Sequence, residues 1–195
     1  MSLITILIVV AVLVVVYVIG TYNKFQTIKT RIKASIQEIG NQLKRQADLI
    51  PNLESSAKGY LKHEKSIFKQ LTDARKQIMA ATKGRSPQKM IEAAGALSQV
   101  LPSLRIAIED NPELKAEKTI TKLMDELRDT ADKVMYARRT LIDLSADYNR
   151  MAVTIPSNIV ASLFGFKQEA GLKAPETGEH VEVSAADTKS PKVKL

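Results

Sequence analysis

The sequence predicts an all-α protein, with an N-terminal transmembrane helix followed by an up-and-down four-helix bundle. A long apolar run lies near the start of the chain, and apolar residues then recur every three or four positions as far as residue 156. Strand signals are absent. The composition agrees, because 5% aromatic residues, 8 glycines, 7 prolines and no tryptophan suit helices better than a β-sandwich.

The apolar run extends from Leu3 to Ile19 and includes only Thr5 and Tyr17 as more polar positions. As a helix it spans about 25 Å, close to the minimum that crosses a bilayer core. Because it lacks a basic leader and a small-residue cleavage site, a retained anchor over residues 1–21 is favoured over a cleaved signal. Basic residues follow the run, so the positive-inside rule places the N-terminus outside and the bundle in the cytoplasm of a single-pass cell-membrane protein.

Local signals divide the bundle domain, residues 22–156. Lys83-Gly84 indicates a helix end, and Ser86-Pro87 indicates the next helix start. Asn111-Pro112-Glu113 repeats that start signal, Pro156 ends the last helix near Ile155, and Pro102 predicts a kink or break. The last helix is the most regular, with apolar side chains every seven residues at Ile120, Leu127, Val134, Leu141, Tyr148 and Ile155.

Pro51 admits two interpretations. It can lie in the first turn of a new helix capped by Asp48, or it can kink one of three long helices. An unbroken helix from Phe25 to Gly84 would measure about 90 Å, and no other segment is long enough to cover it. A turn at Pro51, which gives four helices that can pack side by side, is therefore favoured.

The chain beyond Pro156 divides into two parts. Residues 157–167 form an amphipathic segment that can lie in the membrane interface or pack back on the end of the bundle, and both alternatives stay open. Residues 168–195 are predicted to form a disordered tail, because they contain few large apolar residues.

The stretch from Gln42 to Leu53, QLKRQADLIPNL, resembles the signature of the LemA family of bacterial membrane proteins. Leu141-Ile142 departs from the family, which usually has a first Tyr-Asn pair there. The resemblance covers about residues 1–167 and implies a transmembrane helix carrying a helical bundle, without an established biochemical activity. Further agreement lies at Tyr22-Asn23, Gly59-Tyr60, His63-Glu64, Ala74-Arg75, Asn111 to Ala116, Ala137-Arg138, Tyr148-Asn149, Pro156-Ser157 and Gly165-Phe166.

Two sets of candidate site residues follow. The first is predicted to face lipid and combines basic residues, in a chain of net charge +8, with apolar ones: Lys24, Lys29, Arg31, Lys33, Ile159, Leu163, Phe164 and Phe166. The second is predicted to fix a turn or contact a partner at the membrane-distal end: Arg45, Asp48, Pro51, Asn52, Asn111 and Pro112.

No catalytic, cofactor-binding or metal-binding residues are predicted. His63 and Glu64 are adjacent, so they point about 100° apart on a helix, and Ile67 stands where a His-Glu-x-x-His motif needs histidine. The basic runs lack the interleaved aromatic residues that nucleic-acid binding usually needs.

The predicted function is therefore that of a membrane-anchored scaffold or adaptor rather than an enzyme. Its expected partners are the lipid bilayer and other membrane proteins or further copies of itself, without nucleic acid or a small-molecule substrate. The alternative is a protein that binds or shapes the membrane surface.

Overall fold

A computed structural model describes residues 2–60 and 65–172. These residues form helices and contain no strand, which confirms the all-α prediction. The helices are α1 (Leu3–Ala57), α2 (Lys65–Gly84), α3 (Pro87–Glu109), α4 (Pro112–Ala116), α5 (Lys118–Val153) and α6 (Ser157–Phe164).

The first helix joins the apolar N-terminal run to the bundle without a break. α1 has 55 residues and a length of about 80 Å. Leu3 to Ile19 is exposed or nearly so, and this part is long and apolar enough to cross a membrane. From Phe25 onward one stripe of α1 is buried, with Ile28, Ile32, Ile39 and Leu43 at helical spacing. We call the apolar part, Leu3–Ile19, the candidate span.

Four helices run alternately away from the candidate span and back toward it. α5 lies antiparallel to α1: the Phe25 and Tyr148 ring centroids are 5.3 Å apart, and an Arg45 guanidinium nitrogen lies 3.5 Å from a Glu126 carboxylate oxygen. α2 also runs antiparallel to α1, and α3 returns beside it, with Met90 next to Gly40. The up-and-down arrangement is thus confirmed.

The bundle has two levels. The α2–α3 connection lies near Gly40, about 30 Å along α1 from Gly20. Beyond that level all four helices pack together, and we call this part the head. Between Gly20 and Gly40, α1 packs against α5 and α6, and we call this part the neck.

The predicted turn at Pro51 is wrong, because Pro51 lies inside α1 and the helix continues to Ala57. Its alternative, one helix through to Gly84, is also wrong, since α2 begins anew at Lys65. Pro102 likewise lies inside α3, so no break occurs there. A proline removes one helical hydrogen bond and crowds one carbonyl, which a well-packed helix can absorb.

The other helix boundaries follow their local signals. Ser86 caps α3 by accepting a hydrogen bond from the Lys89 amide, and Asn111 caps α4 by accepting from Glu113 and Leu114. Asn111 thus starts a helix of 5 residues, and the Glu117 side chain then caps the long α5. α5 ends at Val153, close to the predicted end.

Arg85 is the residue that turns the chain after α2. Gly84 is still helical, whereas Arg85 has a φ of 51°, in the left-handed region where a side chain is strained. Arg85→Gly should therefore stabilise the protein by about 0.5–1 kcal/mol. Urea unfolding of the detergent-solubilised protein, followed by circular dichroism, measures this change.

Lys83→Gly is the matched control, because it introduces the same residue into the last turn of the helix. It should destabilise by about 0.5–1 kcal/mol. Equal destabilisation by both variants would contradict the strain assigned to Arg85.

Candidate functional site

An aromatic cluster lies where α1 leaves the candidate span, an end that we call the proximal pole. The chain has five tyrosines and four phenylalanines, and five of these rings meet here. Phe25 stacks on Phe166 with centroids 4.6 Å apart and meets Tyr148 edge-on. Tyr22 contacts Phe164 at 4.9 Å and Phe166 at 5.5 Å. The cluster therefore fixes the chain after α5 against the start of the neck.

Asn149 holds the segment that follows α6. Its amide nitrogen donates to the Glu169 carbonyl at 2.9 Å, and its amide oxygen accepts from the Glu169 backbone N–H at 2.8 Å. The neighbouring Tyr148 is fully buried. Burial, and to a lesser degree the charge of Glu169, raises the pKa of Tyr148 above its ordinary value. Tyr148 thus stays neutral near pH 7 and acts as a core residue.

α6 has one face on the bundle and another that is bare. Val160 and Ala161 are buried, whereas Ile159 is 65% and Leu163 71% exposed. Phe164 is 47% exposed although its ring touches Tyr22. α6 therefore packs on the bundle, and its other face forms an exposed apolar surface beside the end of the candidate span.

Phe166, which was predicted to face lipid, is partly buried and packs against the core. It lies beyond the left-handed Gly165, where the chain turns back and the Phe166 ring stacks on buried Phe25. A short apolar segment does not reveal in its sequence which side chains turn inward, because a single glycine reverses their direction.

The four predicted lipid-facing cations lie at different heights along α1. Lys24, Arg31 and Lys33 are exposed, and Lys29 is partly buried. From Gly20, α1 rises about 6 Å to Lys24 but about 20 Å to Lys33. A headgroup layer is about 5–7 Å thick and salt screens charges within about 8 Å. If the hydrocarbon region ends at Gly20, Lys24 would lie at headgroup level and Lys33 at the far limit of electrostatic attraction to the lipid.

At the opposite end of the bundle, the distal pole, Pro51 has a specific partner. A proline lacks an N–H, so the carbonyl four residues earlier, that of Ala47, has no helical donor. The Arg75 side chain fills this gap from α2, with its Nε donating to the Ala47 carbonyl at 3.0 Å. Pro51 and Arg75 thus form one structural unit that joins α1 to α2.

The other distal candidates are placed separately. Arg45 pairs with Glu126 at 3.5 Å, and Thr72 donates to a Glu54 carboxylate oxygen at 2.8 Å. Asp48 and Asn52 are exposed on α1. Asn111 and Pro112 start α4, so they act in a different turn from Pro51. His63 and Glu64 lie outside the described residues.

A groove opens at the distal pole between α3, α4 and the first turns of α5. Its volume is about 620 Å³, and Leu101, Ile108 and Met124 give it an apolar floor. Its rim is charged: Arg105 donates to Glu109 at 2.8 Å, and Arg128 lies 3.8 Å from Asp125. An apolar floor with a charged rim suits a protein segment.

Sequence reasoning missed the roles of Arg75 and Asn149. A proline inside a helix does signal an unpaired carbonyl at Ala47, but the donor lies 28 residues away in sequence. Asn149 bonds to a backbone 20 residues further on, in a segment with no regular pattern. Only the packed fold brings these partners together.

The fold and the proximal pole define a class: a helical bundle continuous with an N-terminal helix that can span a membrane. The sequence pattern of the LemA family matches residues 35–185. The chain belongs to the LemA family, as the resemblance implied. It is also similar to the magnetosome protein MamQ of Magnetospirillum gryphiswaldense, with 24% identity over 170 residues, 75% of this chain and 62% of that protein.

The Arg75–Pro51 unit gives a stability prediction. Arg75→Met removes the donor to a carbonyl that has no helical partner, and should cost about 1.5–3 kcal/mol. In a Pro51→Ala background the backbone N–H of residue 51 can donate to the Ala47 carbonyl. Arg75→Met should then cost at least about 1 kcal/mol less. Urea unfolding of the parent protein, the two single variants and the double variant measures this coupling.

Arg105→Met is the matched control, because it breaks only an exposed ion pair and should leave the free energy of unfolding nearly unchanged. If Arg75→Met lowers the free energy of unfolding equally with proline and with alanine at position 51, the proposed coupling between Arg75 and Pro51 is wrong.

Proposed function

We propose that this protein is a membrane-anchored scaffold that binds other proteins through its head and performs no catalysis. The continuity of α1 carries this proposal. One helix of 55 residues joins the candidate span to the head, so any partner bound by the head is held at a set height.

Helix geometry gives that height. The groove at the distal pole lies beside the first turns of α5. Because Arg45 on α1 lies next to Glu126 on the antiparallel α5, these turns are at about the height of Leu49 on α1. From Gly20 to Leu49 α1 rises about 44 Å. A partner in the groove would therefore sit well clear of the lipid headgroups, where another membrane protein or a second copy can reach it.

The groove supports protein binding by its chemistry. Its apolar floor offers area to bury, while paired cations and anions around the rim favour a partner with both charges. Arg105 and Arg128 have exposed carboxylate partners that a bound segment could replace. Lys115 also lines the groove and forms no ion pair within the described residues, so it is available to an acidic group of the segment.

The orientation belongs to the same proposal. Residues 20–40 and 137–167, which form most of the neck, contain eight Lys or Arg and three Asp or Glu. Such an excess of basic residues beside a span favours the cytoplasmic side. The head therefore faces the cytoplasm.

The chain lacks cysteine, so a single cysteine at the exposed Lys58 reports the side on which the head lies. In intact cells Lys58→Cys should resist a membrane-impermeant maleimide and react only after lysis. Ready labelling of intact cells would contradict the orientation while leaving the scaffold proposal in place.

Partner binding is tested by photo-crosslinking in native membranes. A photoreactive residue at Arg105 or Arg128 should give adducts of discrete mass, and Leu101→Glu should abolish them by charging the groove floor. The same probe at Gln77, exposed on α2, is the control. Adducts that persist with Leu101→Glu in a folded protein, or that form equally at Gln77, would contradict binding in the groove.

A further inference from the structure

We propose that α6 is a second membrane contact, with its bare apolar face seated in the leaflet from which α1 emerges. The site consists of Ile159, Leu163 and the exposed part of Phe164. Its ligand is the lipid surface itself, and its effect is to fix the tilt of the neck and head against the bilayer.

The position of α6 relative to the candidate span is the first argument. The Phe164 ring lies 4.9 Å from the Tyr22 ring, and Tyr22 comes two residues after Gly20. The aromatic contact thus places α6 at the height where α1 leaves the hydrocarbon region. An exposed apolar face at this height is continuous with the apolar surface of the span.

The distribution of exposure is the second argument. Ile159 and Leu163 are four residues apart, so they lie on one side of α6, and they are 65% and 71% exposed. Ile155, just before the helix, is 82% exposed. Val160 and Ala161 already cover the bundle. A helix of 8 residues that is apolar on its outer side as well as its inner side suits an interface between protein and lipid.

The attachment of α6 to the rest of the protein is the third argument. Phe166 stacks on Phe25 just after α6, Asn149 makes two hydrogen bonds to Glu169, and the Ser157 hydroxyl donates to the Met151 carbonyl at 2.6 Å before it. These contacts hold α6 at both ends, so insertion of its outer face would be transmitted to the neck.

The charges around α6 fit a lipid surface. Lys24 and Lys167 are exposed at this level, whereas the acidic Glu169 is only partly exposed. Arg150 is also exposed but pairs with Asp147 at 2.7 Å. The two lysines that remain can approach anionic headgroups while the apolar face enters the acyl boundary.

Nitroxide probes on the full-length, cysteine-free chain test this proposal. Leu163→Cys and Ile159→Cys are labelled and reconstituted in vesicles of phosphatidylethanolamine and phosphatidylglycerol. Collision rates with oxygen and with a water-soluble nickel complex then report depth. Both probes should collide with nickel several-fold less, and with oxygen more, than a probe at Ile106, with a depth of about 5–10 Å into the headgroup and acyl boundary.

Two control probes make a negative result interpretable. Ile106→Cys, at a 59% exposed position of the head, marks the aqueous limit, and Val12→Cys, 56% exposed, marks the span. Probes at 159 and 163 that match Ile106 while Val12 reports lipid would overturn the proposal. So would probes shielded from both reagents, since these would show that protein, such as a second copy, covers the face.

Discussion

The structure depends on the continuity of α1. Most of its other features follow from the fact that one helix serves first as an apolar segment and then as the central bundle element. Its buried stripe begins at Thr21, immediately after the apolar run, and continues at helical spacing to Ala57. α5 can therefore pack along α1 through neck and head alike, and the shorter α2 and α3 need to cover only the distal part. A hinge near Tyr22 would uncouple the head from the membrane, and no break in the helix occurs there.

Features set by local chemistry could be predicted from the sequence. Ser86 and Asn111 cap helices with side chains that reach amides only two or three residues away, and the apolar repeat of α5 marks its own buried face. Pro51 could not be placed in this way. Its effect on the helix depends on Arg75, which offers a donor to Ala47 from another helix. A single helix from Phe25 to Gly84 is absent, as its length of about 90 Å implied, but the turn follows Ala57 rather than Pro51.

The proximal pole shows a similar division. The sequence predicts an amphipathic segment after Pro156, and it also predicts that this segment either packs on the bundle or lies in the membrane interface. The structure shows that the segment packs on the bundle through Val160 and Ala161 while Leu163 stays bare. The sequence did not show that Phe166, beyond the left-handed Gly165, stacks on Phe25 and is partly buried.

Rigidity of α1 across the membrane boundary is the central claim, and a distance between two spin labels tests it most directly. Labels at Leu13 and Lys44, both exposed, lie on either side of the boundary. In lipid nanodiscs a continuous helix predicts one narrow distribution centred near about 46 Å, at 1.5 Å per residue. A broad distribution, or one shifted well below that value, would reveal a hinge between span and neck and would contradict the account.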